Sequence, residues 1–337
     1  MTTLTVIIVS WNTRDLLRRC IQTLHTSLAG TGIDYAVVVV DNASIDGTPA
    51  MLRAEHPEAQ LLEPRRNLGF AGGNNLALRR VLSSEGAQNS KLDYVLLLNP
   101  DTEVVGDAIP RLVRYLDAHP DVAVVGPKLR YPDGSAQPSR RRFPTRTTYF
   151  WESTPLETRW PANPWARRYR YADTPDDIEQ EVDWLVGAAL LVRRSAIERA
   201  GLLDASFAMY SEELEWQRRI KGTGYRVQGT DRQTAPYPLS PVPGPLKIVY
   251  LPDAVIIHHE GKSSEQALAR RYLDFQRSRL RDARMVYGER FAAALRLFLR
   301  AAYGAELAVE AAKWLLGHKR TLRARRIGVY WQVVREL

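Results

Sequence analysis

The chain has 337 residues, enough to bury a sizeable core in one large domain or in one domain with an appendage. Cys20 is its only cysteine, which excludes an intrachain disulfide and a thiolate metal cluster and suits a reducing compartment. The net charge of +9 is unevenly placed: residues 262–337 hold 17 Lys/Arg against 7 Asp/Glu, a net of +10, whereas residues 1–261 hold 30 against 31. The start, Met1-Thr2-Thr3-Leu4-Thr5, has no basic n-region, and the apolar run Val6 to Val9 is far shorter than a signal-peptide core, so export is not expected.

Thr5 to Val9 is a β-branched run that ends in Ser10-Trp11-Asn12-Thr13. Leu16, Leu17, Ile21, Leu24 and Leu28 follow at helical spacing, so the reading is strand, loop, amphipathic helix. Ala36 to Val40 repeats the strand signal and ends in Asp41-Asn42-Ala43-Ser44, with a helix from about Pro49. Gln60-Leu61-Leu62 predicts a short third strand, Asn67 to Asn75 a glycine-rich turn, and Leu76 to Leu82 a helix. The spacing Gly69-x-x-Gly72-Gly73 is not that of a dinucleotide fingerprint, so the turn is read either as a ligand contact or as a plain tight turn.

Tyr94-Val95-Leu96-Leu97-Leu98 then stops at Asn99-Pro100-Asp101-Thr102. An unbroken apolar run bounded by turn residues predicts a strand buried on both faces, and the carboxyl edge of such strands is where open α/β sheets bind ligands. Asp101 is therefore a candidate for holding a divalent cation through oxygen, the alternative being an aspartate that caps the next helix. Repeated strand-helix units predict a doubly wound, mostly parallel α/β sheet over roughly the first 125 residues.

Val122 to Gly126 predicts another strand, and Tyr131 to Asp177 reads as a long irregular connection rich in Pro, Arg and aromatic residues. Asp183 to Val192 returns to strand, and Arg194 to Ala200 forms a short helix closed by Gly201. In Tyr210-Ser211-Glu212-Glu213-Leu214-Glu215 three carboxylates are packed closely. This is either a helix start rich in acids or a positioned general base with a partner. Strands are expected around Tyr225-Arg226-Val227 and at Ile248-Val249-Tyr250, with a five-proline insertion at 228–247 between them. Val255 to Gly261 puts His258 and His259 at a further strand end, which makes a metal-ligand role credible.

Together these stretches resemble an inverting nucleotide-sugar glycosyltransferase of family 2, with the GT-A fold, from the branch that includes rhamnosyltransferases of cell-surface polysaccharide assembly. The matching residues are TVIIVSWNTRDLLRRCIQTL, VVVVDNASIDGT, NLGFAGGNN, YVLLLNPDT, WLVGAALLVRR, FAMYSEELEWQRRI and YLPDAVIIHHEGKSS, in family order across residues 4–264. The resemblance implies a GT-A catalytic domain over 1–264, with a nucleotide-binding half at 1–125 and an acceptor-binding half at 126–264, and a basic amphipathic helical tail at 265–337.

It further implies that Asp41 recognises the nucleotide base and that Asn67, Gly69 and Asn74 border the nucleotide. Asp101 stands for the second aspartate of the family's D-x-D and ligates Mg²⁺ or Mn²⁺, while Asn99 replaces the first. His258 matches the family's metal-binding histidine, ahead of His259. Glu213 stands where many relatives have the catalytic Asp, leaving Glu212 and Glu213 both open as the base. The implied partners are a nucleoside-diphosphate sugar, possible rhamnose among them, and a glycan or lipid-linked acceptor.

Rival readings are a sugar-nucleotide nucleotidyltransferase, which would need a phosphate-cradling loop after the first strand, and a non-catalytic carbohydrate-binding relative. Nucleic acid is not an expected partner. In the tail, apolar residues at helical spacing either pack these helices on the catalytic domain or form an interfacial basic helix. No charge-free run approaches the roughly 20 residues that span a bilayer, so peripheral attachment through residues 265–337 at the cytoplasmic face, on anionic lipid, is expected.

Overall fold

The computed structural model describes residues 2–83, 92–207, 209–222, 246–260 and 268–337. In chain order these form β1 (Thr3–Ser10), α1 (Arg14–Leu28), β2 (Asp34–Asp41), α2 (Thr48–Glu55), β3 (Gln60–Leu62), α3 (Gly69–Leu82), β4 (Tyr94–Leu98), β5 (Thr102–Val104), α4 (Ala108–Ala118) and β6 (Val122–Arg130). There follow β7 (Ala136–Gln137), β8 (Arg140–Arg141), α5 (Arg146–Trp151), α6 (Pro155–Arg159), α7 (Pro164–Tyr169), β9 (Gln180–Glu181), β10 (Trp184–Leu185), β11 (Ala189–Arg193) and α8 (Arg194–Ala200). The last are α9 (Glu212–Lys221), β12 (Lys247–His258), α10 (Leu268–Tyr287), α11 (Glu289–Leu315) and α12 (Arg320–Glu336). The expected strand at Tyr225-Arg226-Val227, residues 228–245 of the proline-rich insertion and the stretch from Gly261 to Ser264 lie outside the described residues.

These elements divide into two compact units, the first comprising Met1–Arg141, Thr174–Ser206 and Glu212–Ser263, the second Arg142–Asp173, Phe207–Ser211 and Ser264–Leu337. The core of the first is one sheet in the order β3-β2-β1-β4-β11-β6-β12-β5. β3, β2, β1 and β4 are mutually parallel, as are β6 and β12, while β11 lies antiparallel between β4 and β6. Side chains alternate across a strand. Leu4, Val6, Ile8, Val37, Val39, Leu96 and Leu98 accordingly face one way, against Leu17, Ile21 and Leu24 of α1 and Ile109, Leu112 and Leu116 of α4. On the other face α3 packs so closely that a Cβ at Gly73 would stand 2.7 Å from Val9 Cγ1.

Three expectations need correction here. The stretch Gly69 to Asn75 is not a turn: it forms the first turns of α3, and Gly73 serves this close approach rather than a loop. The strand expected from Asp183 to Val192 is broken at Gly187: Trp184–Leu185 pairs with Arg140–Arg141 in a separate ribbon, and only β11 enters the main sheet. Conversely Ile248 to His258 is one strand, not two. Pro252 cannot donate to a ladder, and the pairing with β6 jumps from Leu251–Pro127 to Val255–Lys128 across a bulge.

The segment 131–177, expected to be irregular and to belong to the acceptor half, holds three short helices, and its part 142–173 packs with the C-terminal helices. Each short helix has its own start signal. Thr145 and Thr148 form a reciprocal capping box, Thr154 accepts from Leu156 N ahead of Pro155, and Asn163 accepts from Ala166 N ahead of Pro164. In this second unit Tyr149 packs with Leu273, Leu280, Leu295, Leu299, Tyr303 and Val333. The Tyr149 hydroxyl donates to the buried Asp282 carboxylate, and Arg279 Nη2 donates to Tyr149 O at 2.6 Å. α11 and α12 are tied by a buried bidentate pair, Arg323 Nη1 to Glu310 at 2.7 and 2.9 Å.

Leu97 sits at the centre of the sheet and is 1% exposed. Leu97→Ala should lower unfolding stability by about 2–5 kcal/mol, read as a lower denaturant midpoint with an unchanged slope.

Candidate functional site

β1 and β2 are fully paired to their ends, Ser10 against Asp41, and Ile8 of β1 pairs with Leu98 of β4. The first residues past the apolar ladder of all three strands are therefore level. Asp41 is 2% exposed; its Oδ2 accepts from Ser44 N at 3.0 Å, and its Oδ1 is buried without a hydrogen-bond partner. Asn42 clamps the next loop with both ends of its amide: Oδ1 accepts from Leu68 N at 3.3 Å and Nδ2 donates to Gly69 O at 3.1 Å. Asn67 Oδ1 accepts from Gly69 N at 2.8 Å, and Asn74 Nδ2 donates to Phe70 O at 2.9 Å. Asn67, Gly69 and Asn74 thus shape the loop that stands beside Asp41, and the latter two begin a helix.

Beyond β4, Asn99 N donates to Ala188 O at 2.9 Å, which sets the corner Asn99-Pro100-Asp101 against the start of β11. Cys20 lies behind this corner, 3.4 Å from Thr102 Oγ1; burial pushes its thiol up to about 12, so it is inert packing. Asp101 and His258 are both buried, with His258 Nε2 3.3 Å from Asp101 Oδ1 and 3.4 Å from Asn99 Nδ2. The other ring nitrogen, Nδ1, is 3.0 Å from Gln137 Oε1, and Gln137 Nε2 in turn donates to Glu260 Oε2 at 2.9 Å. That second donation fixes the Gln137 amide so that its oxygen faces Nδ1, which carries a proton, and Nε2 faces Asp101. Burial pushes the Asp101 carboxyl up, but His258 and the Asp101 backbone N–H outweigh it and hold the group below the usual carboxylate range. His259 points elsewhere, its Nε2 2.7 Å from Glu103 Oε1.

A carboxylate oxygen and an imidazole nitrogen 3.3 Å apart suit neighbouring positions around a small cation, where bonds of 2.0–2.1 Å put adjacent ligands about 3 Å apart. Asp101 and His258 fit a divalent ion on that ground, with Gln137 as the outer partner that orients the ring.

The acidic pair opens α9. Tyr210 and Ser211 just before it both have left-handed backbone, at φ 69° and 66°, a costly conformation for residues with side chains. Glu212 is buried; Glu213 is half-buried, with its Oε2 out of water and without a hydrogen-bond partner. Gly187 abuts it: a Cβ there would stand 3.5 Å from Glu213 Cγ and from Phe70 Cζ. Burial raises the Glu213 carboxyl above the ordinary range, against the pull of its own and the Gly187 backbone N–H and of Arg141. Gln217, one turn on, holds the Leu185 backbone at both N and O, at 2.9 and 2.8 Å, and so locks α9 to the ribbon that leads into Gly187.

Asp41, Asn99, Asp101, Glu213 and His258 therefore all belong to the first unit and cluster where β1, β2, β4 and β12 end and β11 begins. Asn42, Gln137, Gly187 and Gln217 were not singled out in the sequence. Asn42 adjoins Asp41 and could have been suspected; Gln137 and Gln217 act only through folding and leave no local pattern.

A mostly parallel sheet with carboxylates and a histidine along its carboxyl edge is the GT-A arrangement of glycosyltransferases. The sequence profile described as glycosyl transferase family 2 matches residues 5–200. The N-acetylglucosaminyl-diphospho-decaprenol L-rhamnosyltransferase of Mycobacterium tuberculosis is 30% identical over 263 residues, 77% of each chain. The rhamnosyltransferase WbbL of Escherichia coli is 25% identical over 66% of this chain and 78% of its own length. Among solved structures, the mannosyltransferase PcManGT of Pyrobaculum calidifontis, in complex with GDP-Man and Mn²⁺, superposes with a TM-score of 0.51 at 18% identity, covering 98% of this chain and 84% of that one. S. aureus TarS 1-349 gives 0.51 at 14% identity, covering 99% and 81%. The chain belongs to glycosyltransferase family 2 and is a glycosyltransferase with the GT-A fold.

The raised Glu213 carboxyl has a consequence for stability. Between the ordinary carboxylate range and the higher folded value the native state binds more protons than the unfolded chain, so stability falls as pH rises through that window. Glu213→Gln should remove this fall, giving a flatter stability profile measured by denaturant titration across mildly acidic pH; an unchanged profile would refute the burial argument.

Proposed function

We propose that the enzyme transfers a sugar, L-rhamnose first among the candidates, from a nucleoside-diphosphate donor to a hydroxyl of a lipid-linked glycan acceptor, with inversion and with Mg²⁺ or Mn²⁺. The observation that carries this reading is the single edge shared by an unsatisfied buried carboxylate oxygen at Asp41, the Asp101–His258 pair and a raised carboxyl at Glu213. The rhamnosyl donor and lipid-linked acceptor rest on what the names of the mycobacterial and E. coli relatives state of those proteins, and the nucleotide and metal on the GDP-Man and Mn²⁺ of PcManGT.

In this reading Asp41 Oδ1 accepts a hydrogen bond from an N–H of the base, and the loop from Asn67 to Gly69 with Asn74 behind it borders the nucleotide. Asp101 and His258 hold the divalent ion, with Asn99 beside them. When bound, that ion supplies the positive charge that stabilises the departing diphosphate. Glu213, with Glu212 as the alternative, takes the proton of the acceptor hydroxyl while its oxygen bonds the anomeric carbon and the bond from that carbon to the diphosphate oxygen breaks. A raised pKa suits a base that must accept a proton near neutral pH. One displacement inverts the centre, so no covalent nucleophile is needed.

Attachment to a membrane surface belongs to the same reading. Among the described residues no helix is long and apolar enough to cross a bilayer. The turn between α11 and α12 instead exposes Leu315 and Leu316 at 70% and 86%, next to Trp314, with Lys313, Lys319 and Arg320 close by in sequence and Arg320 over the Trp314 ring. Exposed apolar side chains in a cationic stretch suit the interface of an anionic leaflet.

Turnover of pooled nucleotide sugars, with nucleoside-diphosphate rhamnose included, tests the activity. Glu213→Gln should retain donor binding and lose about 10²–10⁴ in rate, and Asp101→Ala should lose both turnover and its dependence on Mg²⁺ or Mn²⁺. If Glu212→Gln alone is crippled, the base is the neighbour; if Asp101→Ala is fully active with chelator present, the metal reading fails. For the membrane, the protein should co-sediment with anionic but not zwitterionic liposomes, less so at high salt and less so as Leu315→Ser/Leu316→Ser. Equal partitioning of that variant would remove the turn as the anchor.

A further inference from the structure

A second group of metal-type ligands lies outside this edge. His25 is in the last turn of α1, and His56 and Glu58 lie in the short connection from α2 to β3. Because α1 and α2 start near the carboxyl ends of β1 and β2 and run back along the sheet, their last turns lie toward the opposite edge, away from Asp41 and Asp101. One nitrogen from each imidazole and one Glu58 oxygen all lie within 4.8 Å of one another, the sole such trio of His, Cys, Asp or Glu among the described residues. His25 Nε2 is 3.0 Å and His56 Nδ1 3.4 Å from the same oxygen, Glu58 Oε1.

We propose that His25, His56 and Glu58 form a site for a late first-row divalent cation, Zn²⁺ by preference, which ties the end of α1 to the turn before β3. Tetrahedral Zn²⁺ with bonds of 2.0–2.2 Å puts its ligands about 3.4 Å apart; the His56–Glu58 separation of 3.4 Å matches that value and the His25–Glu58 separation of 3.0 Å is somewhat shorter. Two imidazoles and a carboxylate favour Zn²⁺ over the oxygen-seeking Mg²⁺ and Ca²⁺.

Two observations indicate a built site rather than a chance meeting of surface residues. Tyr35 OH lies 2.7 Å from His25 Nδ1, the outer contact that orients a ligating ring and leaves Nε2 to the metal. His56 is 7% exposed, so one of the three ligands is a buried ring that presents its Nδ1 to Glu58 Oε1 at 3.4 Å. The turn is also held by its backbone: His56 N donates to Leu52 O at 2.9 Å and Ala59 N to His56 O at 3.0 Å. His56 and Glu58 are thereby fixed in mutual position without a metal.

The test is Zn²⁺ titration by calorimetry of the chelator-stripped full chain carrying His258→Gln, which removes the imidazole of the edge at Asp101. One saturable Zn²⁺ per chain and a rise in Tm are expected. Binding that persists without His258 separates this site from the catalytic edge. His25→Gln and Glu58→Gln, both at partly exposed positions and checked for folding by circular dichroism, should each weaken binding at least about tenfold, and Tyr35→Phe by about tenfold. No saturable binding to the His258→Gln chain, or undiminished binding when His25→Gln and Glu58→Gln are both added to it, would overturn the proposal.

Discussion

A strand buried on both faces cannot carry polar side chains along its length, because each would lose its water without finding a partner. β4 obeys this without exception: Tyr94 to Leu98 are all buried, and the first amide and carboxylate arrive at Asn99 and Asp101. β2 does the same with Val37 to Val40 and then Asp41. Parallel pairing brings these ends level, so the constraint that builds the core also collects the chemistry on one edge. The helices inherit the arrangement, since each must cover an apolar face and return the chain to the opposite edge.

The same constraint explains which features were legible beforehand. Strands with unbroken apolar runs and helices with a clear stripe, such as α1, announce themselves through local periodicity, and so did Asp41, Asp101 and His258 at their ends. Features that depend on partners distant in sequence did not. The antiparallel β11 between β4 and β6 is composed of the same apolar residues as its parallel neighbours, and periodicity carries no direction. The first turns of α3 look like a loop because glycine disfavours helix; only contact with Val9 makes the small residue an advantage.

The three short helices of 142–173 teach a different lesson. Their signals were present as Thr145 with Thr148, Thr154-Pro155 and Asn163-Pro164, yet each helix is too short to show a period. Caps alone do not stabilise a helix of five or six residues in water. What holds them is the aromatic packing of the second unit: Phe150 meets Phe291 and Phe298 at centroid distances of 5.8 and 5.0 Å, and Trp151 stacks on Trp165 at 5.0 Å. Charge separates the two units as well. The surplus of cations past residue 262 is only partly neutralised within its own helices: Glu310 draws Arg323, Lys313 and Arg326 around one buried carboxylate, and most other arginines there face water.

The choice between His258 and His259 shows how an irregularity far from the site can select its chemistry. β12 pairs with β6 through Leu251–Pro127 and resumes at Val255–Lys128, so three residues, Pro252 to Ala254, are looped out of the ladder. From there the register runs to Ile257–Arg130, and on the other side His258 falls opposite Thr102 of β5. A bulge longer by one residue would bring His259 to that position and send His258 to the opposite side, since a one-residue slip reverses every side chain on a strand. Adjacent histidines read identically in the sequence. Their surroundings diverge because Pro252 has no N–H to give a ladder, and the size of the bulge there puts His258 between Asp101 and Gln137 and His259 against Glu103.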